Sequence, residues 1–532
     1  MFEIATGRMT AKAAKRVVIV FAHAKGALTP AAAMVDAQTG GAVKAALRGS
    51  RFGGNSGEMA KVTVQDGPVS TVLVAGLGKA SAMGRKEWWK AGMGLGAQVD
   101  AMGVKEVTVA LGDGDGNAPL AEQALALLEG MQMAMYRFES FKTELKPEQA
   151  AKLKKVTVLT SAAAAKAVAA EAPRLAKLME SVDVARNAAN TPPNVANPQF
   201  MVDEAKKLEK LGVKVEVFDE KQLKKMGCNL ILAVGGNADD ADQPRMVVMK
   251  YEGAGKGAPY TAVVGKGIMF DTGGYNAKPG NYMRGMKFDM CGAAAVLGTM
   301  RALAARKAKV NVVGVMSCAM NMIGKQAFVM DSVYTGYKGI TVEIGHTDAE
   351  GRLVLADAIA YTIDKHKPAE LVDLATLTGA CMVALGGGYA GLFSTKDALA
   401  NALAKAGENV GELLWRLPVD DYFTSKSEVA DICNDSNGGY GGASVAAAFL
   451  KKFADKTPWA HLDIAGVANA DKIPGANKHL KGGTGFGVRL LVNWLEGAKA
   501  VDEEDAKPAK RGRGRPKGSG KRRGPGRPRK NG

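Results

Sequence analysis

The chain has 532 residues, 47% hydrophobic and 23% charged, which is too long for one ordinary core and normal for a soluble protein of two folded domains. No apolar run approaches the roughly 20 residues that cross a bilayer. Five cysteines without a CxxC pair (Cys228, Cys291, Cys318, Cys381, Cys433) and five scattered histidines without HExxH argue against a disulfide framework and a zinc–thiolate site.

In chain order, the first apolar run is Val17–Ala22. His23 and Lys25 follow at once, so it reads as a buried strand rather than a secretory segment. Arg8, Lys12, Lys15 and Arg16 before it leave organelle targeting as a minor alternative to a cytoplasmic location. Val72–Ala75, Val107–Ala110 and Val156–Leu159 are further apolar or β-branched runs of the kind that make buried parallel strands. The Ala-rich stretch 118–135 suits a helix. Residues 1–165 therefore read as an N-terminal α/β domain.

Residues 166–200 read as a junction, because Asn190-Thr191-Pro192-Pro193-Asn194 fits neither a helix interior nor a central strand. Residues 201–497 repeat the alternation. Strands are predicted at Val213–Phe218, Ala262–Val264, Val310–Met316, Thr341–Ile344, Leu371–Leu374 and His461–Ile464, and helices at 291–306, 353–365 and 443–454. The predicted fold is thus two α/β domains, the second with a largely parallel sheet, whose strand C-terminal ends are where ligands usually bind.

From residue 498 onward the composition changes. Asp502-Glu503-Glu504-Asp505 leads into Lys, Arg, Gly and Pro with almost no apolar residue, so 498–532 is expected to be a disordered basic tail. The formal charge of +18 is largely local to it: residues 507–532 carry 12 basic residues and no acid, which leaves +6 for residues 1–506.

The candidate chemistry lies in three segments: Val264–Gly274 (VGKGIMFDTGG), Met286–Met290 (MKFDM) and Thr347–Asp357 (TDAEGRLVLAD). Each follows a predicted strand, so Asp271, Asp289, Asp348 and Glu350 can converge at one sheet edge. Four carboxylates together repel unless cations neutralise them. Oxygen ligands suit Mg²⁺ or Mn²⁺, and Zn²⁺ also accepts them. There are plainer readings. Asp348 and Glu350 precede a helix and could cap it, and Asp271 before Gly273-Gly274 could merely shape a turn. Gly76-Leu77-Gly78 hints at a dinucleotide loop, but Ser81 stands at its third glycine position.

TDAEGRLVLAD closely resembles the signature of the leucyl aminopeptidase family, the M17 metallopeptidases. VGKGIMFDTGG, KPG, MKFDM-CGAAAV, NTPPN, DLATLTGAC and WAHLDIAG resemble further family segments in order, over roughly residues 180–495. The resemblance implies a two-metal aminopeptidase acting on peptides, assembled as a homo-hexamer. Lys266, Asp271, Asp289, Asp348 and Glu350 would be the metal ligands, Asp271 and Glu350 bridging. A lysine ligand must be deprotonated, which adjacent cations enforce. Lys278 would stabilise the oxyanion, and Arg352 would hold a bicarbonate that shuttles the proton. Met286, Thr376, Leu377 and Gly379 would form the first side-chain pocket and bind the peptide backbone. Two departures stand out. His346 replaces the usual Asn, and Met320–Ser332 lacks the acid and both prolines of the family pattern, which bears on substrate range more than on catalysis.

In the tail, Arg511–Lys517 and Pro525–Lys530 resemble AT-hooks. Arg513, Gly514, Arg515 and Pro516, with Arg527 and Pro528, would lie in the narrow minor groove of A·T-rich DNA, with flanking lysines on phosphates. A nucleoid-associated cytoplasmic enzyme follows from this pairing. A DNA-binding regulator using the peptidase fold as a scaffold is the rival, and cysteinylglycine-type dipeptide turnover is a variant of substrate alone.

Overall fold

The computed structural model describes residues 1–505 apart from 11, 15, 113–118, 145–151, 240–241, 436–438, 472 and 474–477. Arg513, Gly514, Arg515, Pro516, Arg527 and Pro528 of the tail lie outside the described residues.

The N-terminal sheet runs Glu3–Arg8, Lys155–Thr160, Glu106–Gly112, Arg16–His23, Val69–Gly78 and Met59–Thr63, with Ala27–Leu28 beside Arg16–His23. All main-path pairings are parallel except the last, Met59–Thr63 with Val69–Gly78. The predicted strands Val17–Ala22, Val72–Ala75, Val107–Ala110 and Val156–Leu159 all lie in it. Helices Arg85–Met102 and Leu120–Ala134 cross closely because glycines line the contact. A Cβ on Gly92 would sit 2.1 Å from the Leu127 carbonyl oxygen, and one on Gly130 2.2 Å from that of Trp89. Gly76-Leu77-Gly78 is spent on packing too, since a Cβ on Gly76 would meet the Asn55 carbonyl at 2.2 Å.

The expected junction at 166–200 is mostly a single helix, Ala162–Asn190, which starts with the Ser161 side chain accepting from the Ala164 N–H. Its helical signal is the alanine-rich run; the prolines that suggested a break stand just beyond its end. The buried Arg186 ties it to both domains, donating to the carbonyls of Met133 (2.9 Å) and Gly483 (2.9 Å) under the ring of Tyr136.

The second sheet has eight strands, in the order Leu414–Arg416, Ala390–Ser394, Trp459–Asp463, Glu370–Ala375, Tyr260–Asp271, Asn311–Asn321, Arg245–Glu252 and Lys214–Phe218. Its four central strands are parallel, and antiparallel pairs flank them. Helix Cys291–Ala305 covers one face and helices Gly351–His366 and Gly442–Ala454 the other. Residues 286–305 include an 18-residue window apolar enough by composition to span a membrane, but 83% of that window is buried in this core. Thr341–Glu343 is a strand as predicted, though in a separate three-stranded sheet with Val333–Thr335 and Ile432–Cys433. Helix Val488–Asp505 runs past the expected tail boundary at 498.

Candidate metal centre

The central strands deliver the site. Alternation puts Lys266 and Asp271 on opposite faces of strand Tyr260–Asp271. A register shift between Ile268 and Asp271 breaks that alternation and lets both reach one cavity. Asp289 comes from the turn Met286–Met290 that opens helix Cys291–Ala305. Asp348 and Glu350 come from the turn before helix Gly351–His366. Neither acts as a side-chain cap there, since Glu350 occupies the cap position without a capping bond. Asp271 does brace its turn, accepting from the Gly273 N–H at 2.9 Å, while its second oxygen faces Lys278.

All five residues predicted as ligands, and Lys278, come together. Lys266 Nζ lies 2.7 Å from Asp289 and 2.9 Å from Glu350, and donates to the Thr376 carbonyl at 3.0 Å. Lys278 Nζ lies 2.7 Å from Asp271 and 2.5 Å from Asp348. Ligand oxygens of Asp271, Asp348 and Glu350 fall within 4.8 Å of one another. Gly351 leaves the space that the Lys266 side chain occupies; a Cβ there would stand 2.5 Å from the lysine Cε.

The electrostatics are those of a crowded, buried charge cluster. Burial, aided by the neighbouring Asp271, pushes the Glu350 carboxyl up to about 8. Burial likewise raises Asp289 to about 6, and raises Asp348. Burial alone would lower Lys266, but Asp289, Glu350 and Asp271 outweigh it and hold the ammonium above its ordinary range. Glu350 Oε2 is buried without a hydrogen-bond partner. A divalent cation fits this donor set: it neutralises surplus carboxylate and gives Glu350 Oε2 something to bind.

Arg352 Nη1 donates to the Asn434 carbonyl at 2.7 Å, and its buried Nε has no partner. Burial lowers this guanidinium to about 10, so it remains charged near neutrality. Met286, Thr376, Leu377 and Gly379 line the same cavity, of about 500 Å³, with His346 at its edge. Within the altered Met320–Ser332 stretch, the buried Asn321 faces the site and donates to Asp271 at 2.8 Å. Ile323, Val329 and Met330 are exposed.

Three supporting residues were not legible in the sequence. Asn434, fully buried, binds the backbone of Gly345, His346 and Ala349 and so pins the turn that carries Asp348. Asp463, at the end of its strand, accepts from Leu377 N–H (3.2 Å) and Thr378 Oγ1 (2.6 Å) and fixes the loop beside Asp289. Asn321 is the third. Asn434 and Asp463 have partners more than 80 residues away in sequence, and Asn321 has partners 26 and 50 residues away, so only a lone polar residue at a strand end could have hinted at them.

The fold and the site define an α/β enzyme whose centre is suited to divalent cations. The cytosol aminopeptidase catalytic-domain model matches residues 183–492, and the N-terminal-domain model of the same family matches residues 17–145. A probable cytosol aminopeptidase of Brucella melitensis biotype 1 is 43% identical over 451 residues, covering 83% of this chain and 90% of that protein. One from Agrobacterium fabrum is 42% identical, covering 88% and 93%. Among solved structures, the bottromycin maturation enzyme BotP in complex with Mn is 31% identical with a TM-score of 0.78, covering 91% of this chain and 100% of that one. A mutant of tomato leucine aminopeptidase is 28% identical with a TM-score of 0.80, covering 93% and 96%. The chain belongs to the cytosol aminopeptidase family, and it is an aminopeptidase.

Proposed function

We propose that the protein is a two-metal aminopeptidase that releases leucine-like apolar N-terminal residues from peptides, working as a homo-hexamer in the cytoplasm. The observation that carries this is the convergence of Asp271, Asp348 and Glu350, with oxygens within 4.8 Å, beside Asp289 and Lys266. These five residues would hold two divalent ions, Mn²⁺ or Zn²⁺, with Mg²⁺ also compatible with the oxygen donors. When bound, the ions supply Lewis acidity to the scissile carbonyl and to the attacking water. Lys278 swings from its carboxylates to the developing oxyanion, where its ammonium lowers the barrier. Arg352 has a buried, unspent Nε donor with which to hold bicarbonate as the proton carrier. Met286, Thr376, Leu377 and Gly379 bind the first side chain and the peptide backbone.

Hydrolysis of leucine amide by metal-stripped protein is expected to be negligible, to return with Mn²⁺ or Zn²⁺, and to be lost in Asp348→Ala. A folded parent inactive with every metal would overturn the reading.

The tail supports a second activity, DNA binding, on the observation of 12 basic residues and no acid in 507–532. Arg513–Pro516 and Arg527-Pro528 would enter the minor groove of A·T-rich DNA, and multiple tails in one oligomer would act together. Deleting 507–532 is expected to abolish retention on A·T-rich DNA at about 100 mM salt while leaving leucine amide turnover within twofold. Unchanged retention would refute it.

A further inference from the structure

A second cavity, of about 880 Å³, lies between the two domains and shares Gly285, Phe288 and Asn469 with the cavity of the candidate metal centre. The two differ in charge. The first is lined by five carboxylates, Asp435 among them, against Lys266, Lys278 and Arg352, so acid is in surplus. The second carries Lys142, Arg284, Lys287 and Lys481, none in an ion pair with a described residue, against Asp471. Its other cation–acid group is self-neutralised, with Arg137 paired to Asp100 and Glu139.

The turn Met286–Met290 divides the two spaces. Met286 and Asp289 line the first cavity, while Lys287 between them lines the second. Lys287 is half-buried, donates to the Asn190 carbonyl at 2.8 Å, and lies 5.1 Å from the Phe288 ring. One carbonyl uses one of its three N–H donors, so two remain for a ligand. Lone exposed charges such as Lys142 and Lys481 contribute little each. A cleft with low-dielectric walls and a surplus of one sign of charge concentrates their field, however, and a half-buried ammonium is the strongest contact in it.

We propose that this second cavity is a carboxylate-recognition subsite for the peptide substrate, with Lys287 as its centre and Arg284 and Lys481 beside it. A short zwitterionic peptide matches the pair of cavities: its amino end faces the acidic one and its carboxylate the basic one. The carboxylate is that of a short peptide's C-terminus or that of an acidic first side chain, and the substrates below separate the two. The inference rests on the aminopeptidase reading.

The test uses the full-length, manganese-loaded protein. Leu-Gly-Gly is expected to exceed its C-terminal amide in kcat/KM by about tenfold, equivalent to ~1.4 kcal/mol. The Lys287→Met, Lys481→Met double variant is expected to erase that ratio through KM, with leucyl p-nitroanilide turnover unchanged within twofold. Arg284→Met, at an exposed position, is expected to reduce the ratio about threefold and guards against misfolding of the double variant. A ratio of one in the parent, with loss of glutamyl p-nitroanilide hydrolysis in the variants, assigns the same subsite to an acidic first side chain. A parent active on leucyl substrates, with neither preference moved by any variant, overturns the subsite alone. A parent inactive on every leucyl substrate overturns the underlying aminopeptidase reading instead.

Discussion

Glu350→Gln is expected to lower kcat/KM for leucine amide by about 10³-fold or more, a loss near 4 kcal/mol of transition-state stabilisation, with little change in the stability of the metal-free protein. The two halves have one cause. Glu350 is buried against Lys266 and Asp271, with its carboxyl raised to about 8, so without metal it is mostly protonated at neutral pH. Glutamine copies that protonated form, keeping an oxygen for Lys266 while placing an N–H₂ where a cation would bind. The sign of the pH effect follows. A carboxyl raised in the folded state contributes stability below its unfolded pKa of about 4.3, and that contribution is lost as pH rises through about 8. Metal binding must displace the proton, so Mn²⁺ affinity should climb between pH 6 and 8. Calorimetry in two buffers of different ionisation enthalpy should record proton release by the parent and less by the variant. Equal release and equal affinity would remove Glu350 from the ligand set.

Arg489→Met is expected to cost about 3–5 kcal/mol of stability, because it breaks a buried ion pair and leaves charge behind. Arg489 is 2% exposed. Its Nε lies 2.5 Å from Glu129 of the N-terminal domain, its Nη1 3.5 Å from Glu412, and Nη2 donates to the Val410 carbonyl. Burial would raise Glu129, but Arg489 and Arg85 together hold it below the usual carboxylate range. Removing Arg489 breaks the pair that crosses the contact between domains and leaves Glu129 with Arg85 of its own domain alone. Urea unfolding followed by the fluorescence of the five tryptophans should show the midpoint falling. A loss below about 1 kcal/mol would mean that Arg85 suffices.

The residues most open to reading from sequence were those fixed by local chemistry. Asp271, Asp289, Asp348 and Glu350 each follow a predicted strand, Lys266 was implied only by the family resemblance, and the structure brings all five into one cavity. Apolar runs likewise marked the central strands, because burial on both faces leaves no room for polar alternation. What escaped was long-range. The helix Ala162–Asn190 was hidden by the prolines after it, and its role rests on Arg186 reaching carbonyls near 300 residues away. The strand at Thr341 was predicted, but its membership of a separate sheet depends on a partner at Ile432. The break in alternation that lets Asp271 join Lys266 has no sequence signature at all.

The crowding around Lys266 also sets how this enzyme can change. A methyl group at residue 351 would displace the Lys266 side chain, and a Cβ on Gly292 would lie 2.1 Å from the Leu374 carbonyl. The half of the cavity that gathers charge is therefore closed to substitution at its glycines. At Gly379 a Cβ would meet nothing within 4 Å. Mutational libraries aimed at new substrates should find their tolerated diversity on that wall, so selectivity can drift while the carboxylate-lined half stays fixed.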